Sequence, residues 1–285
     1  MDRTTGGSQV TPDLEPSIPE DTEYCYGHPK TPTKLHCSRC DRPICGRCAI
    51  PASVGQHCPE CVAEARKSAP KVRSAMTATA PVVMGILVIN VVMFMGQQVF
   101  PELTEKLVMD PFLIAAGEYW RLITPVFLHA GFLHIFLNSY ILYSLGPNVE
   151  QSFGSVRFAL MYLAAGFLAT AASFALPPEV RSLGASGAVF GMAGVLLIYL
   201  YKRRRAAFIA QYLRSIMFFI GINLVFGFLF TGIDNVAHIG GLLGGVILGL
   251  GFDREDQLKS ITQAVSLLAV LGLGALLVMI KIAGA

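Results

Sequence analysis

The chain has 285 residues, 53% of them hydrophobic and only 14% charged, with a net charge of +3. Water-soluble domains carry nearer a quarter charged residues, so a wholly soluble fold is excluded, and the net charge says less than the placement of its residues. Stretches without Asp, Glu, Lys or Arg cover residues 74–101, 122–149, 158–178, 182–201, 215–233, 235–252 and 260–280. Each is close to the roughly 20 apolar residues that cross a hydrocarbon core. They are continuous rather than alternating, which also excludes a membrane β-barrel.

Residues 1–23 are polar and rich in Pro, Gly, Ser and Thr. They cannot bury enough surface to order themselves and are expected to be disordered. They also lack the basic and apolar regions of a signal peptide. Residues 24–64 hold every cysteine of the chain, in the pairs Cys25-x2-His28, Cys37-x2-Cys40, Cys45-x2-Cys48 and Cys58-x2-Cys61. Eight such ligands suit two tetrahedral zinc ions, and His28 resolves the odd cysteine count. Thiolates that hold zinc imply a reducing compartment, so disulfides are the weaker reading and the N-terminus is expected in the cytosol. The predicted order is a cross-brace. Cys25, His28, Cys45 and Cys48 share one ion, and Cys37, Cys40, Cys58 and Cys61 share the other. Residues 22–64 resemble a B-box-type zinc finger, although that family often ends on histidines; His57 therefore competes with Cys58 as a ligand. His36 reads as a surface residue. Most of the folding free energy of so small a core should come from the two structural zinc ions. Arg39, Arg42 and Arg47 are scattered, so a cytosolic protein partner is expected and nucleic acid is not.

Residues 65–79 read as a flexible linker, followed by a membrane domain over 80–252 and a cytosolic loop with an extra helix over 253–285. The predicted class is an all-α polytopic membrane protein with transmembrane helices near 80–100, 132–149, 156–176, 186–202, 211–230, 235–251 and 262–283. Arg66, Lys67, Lys71 and Arg73 precede the first span, and Lys202, Arg203, Arg204 and Arg205 follow the fourth. By the positive-inside rule both clusters are cytosolic. The N-terminus is then inside and the C-terminus outside, with the plasma membrane as the expected location. Charged loops fall at 150–157 and 253–259.

Polar groups within membrane spans are functional suspects. Ser186 lies in Gly184-Ala185-Ser186-Gly187 at the start of the fourth span, and His238 near the start of the sixth. Both spans run from outside to inside, so the two residues share a depth. Gly187, Gly191 and Gly194, opposite Gly240, Gly241, Gly244 and Gly245, would let the two helices approach. A serine–histidine hydrogen bond of about 3 Å needs that approach. Phe190, one turn from Ser186, is placed to pack on the imidazole. His134 and Asn138, at i and i+4, share one face of the second span at the same depth. With the Ser186 amide they suit an oxyanion site. Taken singly, each of these groups also fits interhelical packing; their convergence favours chemistry. Asp234 suits an N-cap for the sixth span better than a third catalytic member.

His134-x3-Asn138, Gly184-Ala185-Ser186-Gly187, Ala237-His238-x-Gly240-Gly241 and Glu118-Tyr119-Trp120-Arg121 resemble the rhomboid intramembrane serine proteases over residues 78–252. The resemblance implies a six-helix core to which one C-terminal helix has been added. It also implies a Ser186–His238 dyad with oxyanion donors His134 and Asn138, and cleavage of transmembrane or juxtamembrane substrates. The loop at 101–131 is expected to lie partly in the outer leaflet, with Arg121 bonding backbone carbonyls. Two rivals remain at this stage: a catalytically silent adaptor that binds client helices and recruits partners through zinc, and a transporter, which the lack of intramembrane carboxylates disfavours.

Overall fold

The computed structural model describes residues 22–52, 54–68, 80–252 and 259–284. The predicted N-terminal tail up to residue 21, most of the linker (69–79) and the loop at 253–258 lie outside the described residues. The chain divides into two compact units, Met1–Val72 and Arg73–Ala285.

In the first unit, β1 (Tyr24–Cys25) pairs antiparallel with β2 (His28–Pro32), which sets Cys25 opposite His28. A second ribbon pairs β3 (Ile50–Pro51) with β4 (Gln56–His57), and α1 (Pro59–Ser68) follows. Among the described residues the buried core is six cysteines and one aliphatic side chain, Ile44. Ordered structure exceeds the predicted limits at both ends. Glu23 accepts the Thr33 N–H and pairs with His36, and α1 runs four residues past 64 to Ser68.

The second unit is helical. Every predicted span has a helix: α2 (Pro81–Val99), α5 (Phe132–Phe153), α6 (Ser155–Ala175), α7 (Ser186–Lys202), α8 (Ala207–Leu229), α9 (Asn235–Phe252) and α10 (Lys259–Ala283). Among the described residues, α2, α6, α8, α9 and α10 are long and apolar enough to cross a membrane. α7, at 17 residues, is a shorter apolar helix. The predicted loop at 150–157 shrinks to Gly154, whose φ of +88° suits glycine and turns α5 directly into α6. Here the buried Glu150 carboxylate caps α2, accepting the N–H groups of Val82 and Val83 at 3.1 and 2.9 Å.

α7 is the central helix, buried along most of its length and packed most closely on α9. The glycines explain that contact, with one correction. A Cβ on Gly241 would run into the Gly187 backbone, and one on Gly194 would lie 2.6 Å from the Leu242 carbonyl. Gly240 and Gly244 instead face α6, against Ala172, Leu168 and Ala165. α9 therefore uses glycine on two sides, not one. α10 packs on α6 and α9, and Lys281 pairs with Glu179. α8 is the most loosely held of the long helices, burying only Leu213, Ile216 and Ile220.

The segment 101–131 contains α3 (Pro101–Leu107), α4 (Pro111–Ala115) and two 3-10 turns at Tyr119–Leu122 and Thr124–Phe127. Arg121, 3% exposed, holds it together by donating to the carbonyls of Glu105 and Val108 at 2.8 and 2.9 Å and to the Glu118 carboxylate at 2.6 Å.

Candidate functional site

Ser186 is the first residue of α7, so its N–H lacks an intrahelical acceptor and lies at the positive end of the helix dipole. The turn before it is built on Gly184, with φ of +139° and its N–H on the Pro125 carbonyl at 3.0 Å. A side chain there would be strained twice, because its Cβ would sit 2.8 Å from Cε1 and Nε2 of His134. This close approach brings the His134 ring to the serine turn.

His238 stands in the first turns of α9, 8% exposed, with Nε2 at 2.9 Å from the Ser186 Oγ. The imidazole stacks on Phe190 with ring centroids 4.3 Å apart and planes 11° apart. Phe219 of α8 packs behind Phe190 at 5.8 Å. The ring plane is thus fixed by packing. Among the described residues Nδ1 of His238 has no hydrogen-bond partner. The nearest acid on its helix, Asp234, is occupied. One carboxylate oxygen caps α9 by accepting the Ala237 N–H at 2.9 Å, and the other accepts from Ser173. In this arrangement a neutral His238 with its proton on Nδ1 offers Nε2 to the serine hydroxyl.

His134 and Asn138 lie one turn apart on α5. The Ala130 N–H donates to His134 Nδ1 at 3.3 Å, so the neutral ring carries its proton on Nε2, the side that faces Gly184. Asn138 is buried and donates one amide hydrogen to the His134 carbonyl at 3.1 Å, which leaves its second hydrogen available.

In the N-terminal unit the ligand pairs converge in two sets: Cys25, His28, Cys45 and Cys48, and Cys37, Cys40, Cys58 and Cys61. All ligand atoms of a set lie within 4.8 Å of one another. Cys25 Sγ is 3.7 Å from Cys48 Sγ, and His28 Nδ1 is 3.5 and 3.3 Å from the sulfurs of Cys45 and Cys48. In the second set Cys40 and Cys58 are 3.7 Å apart. A tetrahedral ion with bonds of about 2.3 Å has ligand–ligand edges of about 3.8 Å, so both sets have the size of a metal shell. All seven cysteines are free thiols. His57 lies on β4 outside both sets, and Cys58 takes the position for which it competed. The thiols divide sharply. Burial opposes ionisation at Cys25 and Cys37, yet backbone hydrogen bonds, joined by His28 and Cys40, bring them down to about 6. Burial beside Cys25 and Cys45 pushes Cys48 up to about 11, and Cys58 with burial pushes Cys61 up to about 12. Clustered thiols cannot all ionise together without a cation, and a divalent ion relieves that conflict.

The sequence reading missed the groups that hold the site from behind: Ala130, Gln97, Phe219 and Ser173. Gln97 was visible as a polar residue in an otherwise apolar span. The others carry no local signal.

Residues 116–255 match the family description "Rhomboid domain". Rhomboid protease GluP of Bacillus subtilis is 45% identical over 161 residues, 55% of this chain and 31% of that protein. RHOMBOID-like protein 6, mitochondrial, of Arabidopsis thaliana is 40% identical over 151 residues, 51% of this chain and 47% of that protein. The rhomboid relative YdcA of Bacillus subtilis is 35% identical over 136 residues, 47% of this chain and 68% of its own length. The match thus spans less than half the length of the first two relatives.

Proposed function

The chain belongs to the rhomboid family, and on that premise we propose that it is an intramembrane serine protease with a Ser186–His238 dyad. One observation carries the reading: the 2.9 Å contact between Ser186 and His238, on two helices packed backbone to backbone through glycine. His238 Nε2 takes the proton of the Ser186 hydroxyl as Oγ attacks a peptide carbonyl, and later returns it to the leaving amine. The developing oxyanion is met by the Ser186 N–H, the His134 Nε2–H and the free Asn138 amide hydrogen. Water then hydrolyses the acyl-enzyme with His238 again as base.

Substrates are proposed to be transmembrane or juxtamembrane segments. At 1.5 Å per residue, α7 is about 26 Å long, less than a hydrocarbon core of about 30 Å, so Ser186 at its start is recessed below the membrane surface. A helical substrate must unwind there to present its carbonyl. The basic clusters support a cytosolic N-terminus, with the dyad toward the outer side of what we take to be the plasma membrane.

For the N-terminal unit we propose two structural zinc ions, held by the two sets above, which fit zinc in donor type and size. The ions would order the unit and take no part in peptide cleavage. The unit would recruit or localise a cytosolic partner.

The test is cleavage of a model transmembrane substrate in proteoliposomes by wild type and by Ser186→Ala, with fluorophosphonate labelling of the serine. Wild-type cleavage and labelling, both lost in Ser186→Ala, are expected. Binding of the substrate without cleavage by either protein would favour the silent adaptor.

A further inference from the structure

Gln97, near the C-terminal end of α2, is 8% exposed, and its amide is fully engaged. Oε1 accepts the His129 N–H at 3.0 Å, and Nε2 donates to the His129 carbonyl at 3.3 Å and to Thr104 Oγ1 on α3 at 3.0 Å. A buried glutamine in an apolar helix is costly unless satisfied in this way. The partners it selects are informative. The His129 carbonyl and the Ala130 N–H are the two ends of one planar peptide unit and point in opposite directions. With the carbonyl held by Gln97, the N–H is turned onto Nδ1 of His134, 3.3 Å away. The His129 ring also packs edge-on against His134, with centroids 5.3 Å apart and planes at 68°. One peptide plane therefore joins the first membrane helix to the ring beside the Gly184 turn.

We propose that Gln97 is a positioning residue for His134. By fixing the His129–Ala130 peptide it keeps Nδ1 of His134 an acceptor, and so keeps the proton on Nε2, where the oxyanion forms. Without the clamp that peptide is free to rotate. Nδ1 then competes for the proton, and the other tautomer turns a lone pair toward the developing negative charge. The inference rests on the protease reading above, in which His134 meets the oxyanion.

The experiment compares steady-state cleavage of the model transmembrane substrate by wild type, Gln97→Leu, Thr104→Val, His134→Ala and the double variant Gln97→Leu/His134→Ala. Removing an oxyanion donor outright costs about 10²–10³-fold in kcat, so misdirecting one should lower kcat about ten-fold in Gln97→Leu, with KM within about two-fold. Thr104→Val, which loosens the clamp without emptying it, should lose about three-fold, and it keeps the test open if Gln97→Leu fails to fold. In the His134→Ala background, Gln97→Leu should cost less than about two-fold more, because its effect runs through a ring that is gone. A kcat within two-fold of wild type in both Gln97→Leu and Thr104→Val, or losses that multiply with His134→Ala, overturns the clamp while Ser186-dependent wild-type cleavage still stands. A wild-type protein that does not cleave at all overturns the protease reading, and the clamp with it.

Discussion

The two units of this chain build their sites in opposite ways. In the N-terminal unit every ligand pair is local, two side chains separated by two residues, and the ligands are themselves the core. In the membrane unit the proposed dyad joins residues 52 positions apart, and the core around it is ordinary helix packing. A site whose ligands are its own core would depend on the proposed ion for its fold. A site assembled from distant residues depends on a scaffold that stands without it. Ligand loss should therefore dissolve the first unit, whereas loss of a reacting group should silence the second and leave its fold intact.

The largest expected effect tests the first half of that contrast. Structural zinc supplies on the order of 10 kcal/mol to small domains at neutral pH. Stripping metal from the full chain with a chelator, or making Cys45→Ser, should expose residues 22–68 to protease, while metal analysis of the untreated protein should give two zinc per chain. Cleavage of a model substrate in detergent should persist. If cleavage fell with the metal, the units would be coupled and the contrast would break.

Next in size is loss of a reacting group. Ser186→Ala and His238→Ala should each lower turnover by about 10⁴-fold or more, equivalent to roughly 5–6 kcal/mol of barrier. Neither should shift the melting of the membrane unit much, because the glycine contacts between α7 and α9 remain. Unfolding of either variant would mean that the dyad is part of the scaffold.

The scaffold itself is tested by Gly241→Ala. Its new methyl meets the Gly187 backbone, which cannot rotate away as a side chain can, so a cost of about 1–3 kcal/mol is expected. Activity should fall as well, because α7 carries Ser186 and α9 carries His238. The control is Gly221→Ala on α8, where a Cβ meets nothing within 4 Å. There helix propensity alone should stabilise by about 0.5–1 kcal/mol. Equal responses at the two glycines, read by thermal melting, would count against backbone packing as the source of the dyad geometry.

What could be read from sequence follows the same division. Charge-free stretches of about 20 residues located the long helices, because a hydrocarbon core sets the length of the helices that cross it. Cysteine and histidine spacing located the two clusters proposed to hold metal, because ligands two residues apart can share one small shell. Interhelical contacts were legible only in part. Gly241 and Gly245 face α7 as the sequence suggested, but Gly240 and Gly244 turn to α6, since a helix rich in glycine on several sides does not say which neighbour each side meets. The peptide linking Gln97 to His134 was invisible, because it acts through backbone groups that every residue possesses.

The smallest effect bears on whether the proposed pair needs a third member. Asp234 lies four residues before His238 and could be mistaken for the acid of a triad. Its two oxygens are committed to the Ala237 N–H and to Ser173, and Nδ1 of His238 has no partner among the described residues. An aspartate in that role is a helix cap, and replacing a good cap typically costs about 1 kcal/mol. Asp234→Asn keeps one oxygen to cap the Ala237 N–H but gives up the charge and the oxygen that accepts from Ser173, so melting should drop slightly and turnover should stay within about three-fold of wild type. A triad acid behaves differently, since removing its charge leaves the histidine in the wrong tautomer and costs orders of magnitude in kcat. If Asp234→Asn cut turnover as deeply as His238→Ala, the acid would have to reach Nδ1 during the reaction. The site would then draw on a third residue, Asp234, that now serves only its scaffold.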